Sequence, residues 1–296
     1  MLKRWERVMR AVQGLPVDRV PLGELVVDPV FCLKALGREA FSFKTARDFW
    51  ERFALDLVVL PWANTNDACS IARWRQETDC FVFALVDGGF SKALSALGFK
   101  AFMEETLKAP DRLKATINDF FLESLEASQA CVEAGAHGIM IGDDLAYQKA
   151  TYISPASLRE LYFPSLGTYV RGLKETGAVV FFHSDGNLNA VIGDLLEAGI
   201  DGLQSLEPGA GMDLGQIKAF CGHQICLMGN MDLAYLQPET ADSQLLDKVS
   251  KIMAAGKPGG RFIFGTCSGF HEHVSVEKVT LMIEEALKQG DYSFNA

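Results

Sequence analysis

The sequence predicts an α/β fold, a single (β/α)8 TIM barrel with an N-terminal helical extension, covering residues 1–296 as one domain. Three observations lead there. Short apolar runs recur along the chain, and each stops at polar or turn residues, as strands buried on both faces of a parallel sheet do. Stretches with helical spacing of apolar residues separate them, regularly so from Ala101 onward, which implies parallel βαβ units. Eight such runs can be marked, the number that closes a barrel. An open doubly wound sheet is the competing architecture. It would usually show a glycine-rich phosphate loop after its first strand, and Leu22-Gly23-Glu24 has none. Gly88-Gly89 and Gly259-Gly260 are too short to be one, and no internal repeat or low-complexity linker divides the chain.

Taken in order, Leu2, Trp5, Val8, Met9 and Val12 recur at helical spacing among Lys3, Arg4, Glu6 and Arg7. That is an amphipathic helix, not the unbroken apolar core of a signal peptide. A turn-rich lead over 14–21 brings the chain to a first strand at 22–27, with Glu24 inside or near its end. Residues 43–53 are helical in pattern, and 55–62 form a second strand ending at Pro61-Trp62. The third, 81–86, runs into Asp87-Gly88-Gly89, and helices follow over 92–104 and 110–134, the latter stopped by Gly135. The fourth strand, 138–142, is closed by Asp143-Asp144, and Ser154-Pro155 is a serine cap with proline at the first helical position. The fifth is the apolar run that ends in His183-Ser184-Asp185-Gly186-Asn187. Strands at 201–206, 224–229 and 261–266 alternate with helices at 189–198, 213–220, 245–255 and 277–289.

Composition narrows the function. With 49% hydrophobic and 22% charged residues the chain can build a large core. Its net charge of −10, with no basic run beyond Lys3-Arg4 and Arg7, argues against nucleic acid and anionic membranes as partners. No stretch is long and apolar enough to span a bilayer, so a cytoplasmic location is expected. The seven cysteines are scattered, odd in number and without C-x-x-C spacing, which speaks against a disulfide framework.

In a parallel barrel the carboxyl ends of the strands meet at one mouth, where chemistry is done. Here they offer Glu24, Trp62 with Asn64, Asp87, Asp143 with Asp144, His183 with Asp185, Glu207, Asn230 with Asp232, and Cys267. His183, Asp185 and Cys267 are donor types that zinc accepts together, and Glu24 is another possible oxygen ligand. The spacing His183-x-Asp185 puts both side chains on one side of a continuing strand. The same spacing also allows His183 simply to bond Asp185 with no metal present. Asp143-Asp144 is open in the same way, as a metal or acid–base pair or as a loop cap. His271 and His273 read as exposed loop residues.

The chain resembles the uroporphyrinogen decarboxylase superfamily over nearly its whole length. The resemblance rests on Gly14-x-x-x-Asp18-Arg19-x-Pro21, Gly142-Asp143-Asp144-Leu145 with Ser154-Pro155, Phe182-His183-Ser184-Asp185-Gly186-Asn187, residues 195–202, Gly229-Asn230-Met231-Asp232 and Phe262-Ile263-Phe264-Gly265-Thr266. It implies a (β/α)8 barrel and one of two activities. One arm of the superfamily decarboxylates uroporphyrinogen without a cofactor, gripping its carboxylates with an arginine-rich segment after the first strand. That place reads Gly23-Glu24-Leu25-Val26-Val27-Asp28 here, and the late decarboxylase histidine is replaced in Thr266-Cys267-Ser268-Gly269. The other arm comprises zinc-dependent methyltransferases that exchange methyl groups with a corrinoid protein. Their His-x-Cys pair and late cysteine correspond to His183, Asp185 and Cys267, with aspartate in place of the first cysteine. The resemblance therefore implies zinc held by His183, Cys267 and Asp185 or Glu24, and cobalamin carried by a partner protein, since the chain lacks the Asp-x-His-x-x-Gly signature of corrinoid carriers. The harder ligand set suits an oxygen-bearing methyl donor such as a methyl ether. Trp62 is then a candidate aromatic wall, Asn64, Asp143 and Asn230 candidate substrate contacts, and Asp144 or Tyr147 a candidate for orienting the substrate. A uroporphyrinogen decarboxylase and a non-catalytic binding barrel are the alternatives.

Overall fold

The apolar runs become strands that pair in chain order. In the computed structural model, which describes residues 1–292, they are β1 (Val26–Val27), β2 (Leu57–Pro61), β3 (Phe81–Asp87), β4 (Gly138–Gly142), β5 (Val179–His183), β6 (Gly202–Ser205), β7 (Cys226–Met231), β8 (Phe262–Thr266) and β9 (Gly269–Phe270). β2 to β8 form one parallel sheet, each strand beside its successor in sequence, and helices link them on the outside. Among the described residues no helix is long and apolar enough to cross a membrane.

The expected first strand at 22–27 is split in two. Leu22 makes a single parallel bridge to Phe264. Gly23 N–H donates to Phe264 O at 3.0 Å and Phe264 N–H to Pro21 O at 2.9 Å, while Asp56 N–H donates to Leu22 O at 2.8 Å. Residues 21–23 thus touch both edges of the sheet and close the barrel with one turn of ladder. The ladder stops there because the Glu24 carboxylate, not a backbone carbonyl, accepts the next N–H, that of Thr266, at 3.1 Å. Beyond it β1 leaves the barrel and pairs with β9 as a separate two-stranded sheet.

Below the closure lies a buried ion cluster. Asp56, fully buried, accepts from Arg7 Nη1 at 2.7 Å, Arg19 Nη1 at 2.7 Å and Leu22 N–H at 2.8 Å. Arg7 also pairs with Asp18, Nε to Oδ1 at 2.7 Å. The Asp18-Arg19 pair singled out in the sequence therefore anchors the seam at the amino ends of the strands and faces away from the mouth.

The interior is filled by large side chains set against glycines. Phe83 packs between Phe81 and Phe181, with ring centroids 4.7 and 5.0 Å apart. A Cβ on Gly202 would lie 2.3 Å from Phe181, and one on Gly138 would lie 2.7 Å from Phe83. Val8 and Val12 of the N-terminal helix, Arg4–Gln13, join this interior cluster, so the helical extension plugs the base of the barrel. The expected helix at 92–104 is two helices, Gly89–Leu97 and Phe99–Lys108, because Gly98 takes φ +76°. Helices Pro29–Leu36 and Ala68–Glu77 escape the sequence pattern.

His137 lies stacked on Phe81 at 4.8 Å near the base. Its Nδ1 accepts from Val82 N–H at 2.9 Å, and its Nε2 has no hydrogen-bond partner among the described residues.

Removing the Asp56 carboxylate leaves two guanidinium groups without their shared partner, and breaking a buried pair costs about 3–5 kcal/mol. Asp56→Ala should lower the free energy of urea unfolding by that amount, and a loss under about 1 kcal/mol, the range of an exposed pair, would remove the seam's importance. Burial, helped by the charge of Arg75, lowers His137 from 6.5 to about 4. The folded chain therefore binds fewer protons than the unfolded chain across that range, so stability is complete above pH 6.5 and is lost as pH falls toward 4. His137→Phe should flatten this part of the stability–pH curve whatever its absolute stability, and an unchanged slope would exclude His137 as its source.

Candidate active site

Register brings the strand ends level. Asp87 pairs with Gly142, Gly142 with His183, and His183 with Gln204, so the residues just beyond emerge at one mouth. His183 is the last residue of β5, its side chain only 12% exposed. Its Nδ1 is hydrogen-bonded to Gln204 Oε1, and Gln204 Nε2 donates to Cys267 O at 2.9 Å. Its Nε2 faces Asp144 Oδ1 at 3.9 Å.

Asp144 and Asp185 stand close to the imidazole. Asp144 Oδ1 accepts Asp185 N–H at 2.9 Å, and Ser205 Oγ donates to Asp185 Oδ1 at 2.8 Å. Donor atoms of Asp144, His183 and Asp185 all lie within 4.8 Å of one another. Gly186 carries the chain past this point at φ +83°, where a Cβ would sit 2.6 Å from the Ala146 carbonyl carbon. Its N–H donates to Glu207 Oε2 at 3.1 Å. Ser205 and Leu206 take φ of +91° and +55°, an uncommon backbone for residues with side chains, at the same corner.

The remaining sequence candidates fall in different surroundings. Cys267 is 4% exposed, and burial, then the charges of Asp232, Glu207, Asp185 and Glu24, hold its thiol well above the ordinary range. It stands outside the three-donor group, as does Glu24. Glu24 is fully occupied by Thr266, which donates both N–H and Oγ1–H to it, and burial raises the carboxyl to about 8. Trp62 is half-buried and packs on the outer core, and Tyr147 is exposed with its ring 5.8 Å from Tyr152.

Three expected substrate contacts are committed to the backbone or to the helix layer. Asn64 Oδ1 accepts from Asn66 N–H at 3.0 Å and caps the short turn Thr65–Asp67. Asn230 is buried and donates Nδ2–H to Leu206 O at 3.0 Å. Asp143 is fully buried, away from the mouth: it accepts from Ser91 N–H at 2.6 Å, Phe90 N–H at 3.2 Å and Tyr162 Oη at 2.7 Å. It caps the helix Gly89–Leu97, the loop-cap alternative for this pair, and burial raises it to about 6 against the pull of those donors. Gly88 makes room, since a Cβ there would lie 2.1 Å from Asp143 Oδ2.

Sequence reasoning missed Gln204 and Ser205. The signal available was a glutamine and a serine closing an otherwise apolar strand, Gly202-Leu203-Gln204-Ser205.

An eight-part parallel barrel with a histidine–carboxylate mouth defines a broad enzyme class, and comparison narrows it. The chain belongs to the family described as uroporphyrinogen decarboxylase (URO-D), whose model matches residues 56–289. The methylcobamide:CoM methyltransferase MtaA of Methanosarcina barkeri is 24% identical over 217 residues, covering 73% of this chain and 61% of that protein. The uroporphyrinogen decarboxylase of Psychromonas ingrahamii is 26% identical over 210 residues, covering 68% of this chain and 53% of that protein. The chain thus spans about three fifths or less of the length of these curated relatives. A solved methyltransferase from Methanosarcina mazei superposes with a TM-score of 0.77 at 20% identity, covering 97% of this chain and 98% of that one, and supports the fold.

The adjacent aspartates should separate by function. Asp143→Ala strands the buried Phe90 N–H, the half-buried Ser91 N–H and the buried Tyr162 phenol, and each unsatisfied buried group costs about 1–3 kcal/mol. Asp144→Ala, at a side chain 54% exposed, should stay within about 0.5 kcal/mol of the parent. Thermal unfolding of the two variants checks this, and equal losses would contradict the placement of Asp143 as the structural member.

Proposed function

We propose that the chain is a zinc-dependent methyltransferase that moves a methyl group between a small donor, such as a methyl ether, and the cobalamin of a separate corrinoid protein. The observation that carries this reading is the group formed by Asp144, His183 and Asp185. One imidazole nitrogen and two carboxylates within that span match the nitrogen and oxygen donors zinc takes in catalytic sites. His183 and Asp185 are the proposed principal ligands, with Asp144 the nearest further donor. Glu24 is the weaker oxygen candidate, since both its oxygens already accept from Thr266 and burial favours its neutral form. When bound, zinc supplies Lewis acidity to the heteroatom that carries the methyl group.

The chain's own residues do the rest. Ser205 holds Asp185 by its hydroxyl, and the Asp185 N–H holds Asp144, so the two carboxylates are fixed relative to each other. Tyr147, exposed after β4, is the proposed aromatic surface for an apolar donor, while Trp62, packed on the outer core, is the weaker candidate. The acidic surroundings formed by Asp185, Glu207 and Asp232 around Cys267 favour a neutral or cationic small molecule over a polycarboxylate. That charge balance weighs against the decarboxylase reading, which the similarity to the Psychromonas ingrahamii protein keeps in view.

Zinc content after equilibration should fall sharply in His183→Ala and Asp185→Ala and less in Glu24→Ala. Cys267→Ala should lose less than His183→Ala because Cys267 lies outside the three-donor group, and Cys226→Ala should lose nothing. A loss in Cys267→Ala equal to that in His183→Ala would put the thiol in the coordination sphere. Methyl transfer to or from free cobalamin should follow the same order. Formation of coproporphyrinogen from uroporphyrinogen by metal-free protein would overturn the methyltransferase reading.

A further inference from the structure

We propose that Gln204 fixes the tautomer of His183 and thereby aims an unprotonated Nε2 at the mouth. One partner in this chain of hydrogen bonds has a role beyond choice. Cys267 O is a backbone carbonyl and can only accept, so the nitrogen of the Gln204 carboxamide must face it, at 2.9 Å. The amide oxygen then faces His183 Nδ1, and an oxygen there can only accept. A neutral imidazole in this position therefore carries its proton on Nδ1. On the other side of the ring Nε2 has no hydrogen-bond partner among the described residues. Asp144 Oδ1, at 3.9 Å from Nε2, is beyond hydrogen-bond distance.

Gln204 is fully buried, so water does not compete for either end of its side chain. It sits in β6 directly beside His183 in β5, and its amide reaches the residue that follows β8. One side chain thus ties the imidazole to the loop that carries Cys267. Gln204 is a positioning residue: it acts on whatever the mouth binds through His183. The tautomer follows from hydrogen bonding alone, while its consequence for zinc rests on the reading proposed above. Removal of a partner that orients a ligating histidine typically lowers metal affinity about 10–100-fold.

The test is nitrogen-detected NMR on protein with 15N-labelled histidine, metal-free and at a pH where the ring is neutral. The His183 signals are assigned by their loss in H183Q. The parent should show a protonated Nδ1 and a bare Nε2. Gln204→Met, which has neither donor nor acceptor of the amide kind, should lose that preference, and Gln204→Glu, which still accepts from Nδ1, should keep it. Isothermal titration with zinc chloride should give a dissociation constant about 10–100-fold weaker for Gln204→Met than for the parent. A protonated Nε2 in the parent overturns the proposal even if Gln204→Met does not fold. So does an unchanged tautomer in a folded Gln204→Met, whereas a shifted tautomer with unchanged zinc affinity upholds the tautomer assignment and overturns its consequence for the metal. A parent with protonated Nδ1 that binds no zinc overturns the metal reading of the site and leaves the tautomer assignment standing.

Discussion

The barrel depends on one buried carboxylate. Seven strands of ladder do not close by themselves, and the eighth position holds only the bridge between Leu22 and Phe264. Asp56 stands where the ring would otherwise open. It binds the Leu22 N–H with its side chain and the Leu22 carbonyl with its own N–H. Such a charge is tolerable inside only because Arg7 and Arg19 meet it, and those two residues come from the N-terminal helix and the lead into the seam. The helix that plugs the base and the strand that closes the wall are therefore held by the same ion cluster.

A short seam has a consequence at the opposite end. Because the ladder stops at Glu24, the chain is free to leave the wall and pair as β1 with β9, so the segment after β8 is held at the rim. Cys267 lies between those two tethers. Its N–H bonds Met231 O at 3.0 Å and its carbonyl receives Gln204. The thiol is thus fixed by its backbone in an acidic pocket, while the imidazole across from it is fixed through its ring.

Most of the fold was legible because buried parallel strands announce themselves by composition. The apolar runs at 138–142 and 261–266 need no partner to be recognised, and β4 and β8 fall on them to within a residue. The first strand was not legible in the same way. Residues 22–27 carry the right residues for a strand, but whether Thr266 N–H bonds a carbonyl or a side chain is decided by a residue more than two hundred positions away. The candidate site divided along the same line. His183, Asp144 and Asp185 could be named from their place after strands, since local pattern fixes where a strand ends. Gln204 could not, because its role is set by lateral register, and register is a relation between segments.

Three acidic residues named from the sequence show how little residue type decides alone. Asp143 and Asp144 are neighbours, and successive residues at a strand end point to opposite sides. One turns to the helix layer, where two N–H groups and a phenol surround it, and the other turns to solvent beside the imidazole. Glu24 is enclosed as completely as Asp143 but has, among the described residues, a single hydrogen-bond partner in Thr266. The environments rank accordingly. Both enclosed groups are raised by burial, Glu24 to about 8 and Asp143 to about 6, and the difference follows the supply of donors from separate groups. A carboxylate that must meet a cation needs an oxygen free to face it. Asp144 Oδ1 accepts Asp185 N–H and Asp185 Oδ1 accepts Ser205 Oγ–H, and among the described residues the second oxygen of each carries no hydrogen bond, so these two are held in place and still have an oxygen to offer the proposed chemistry.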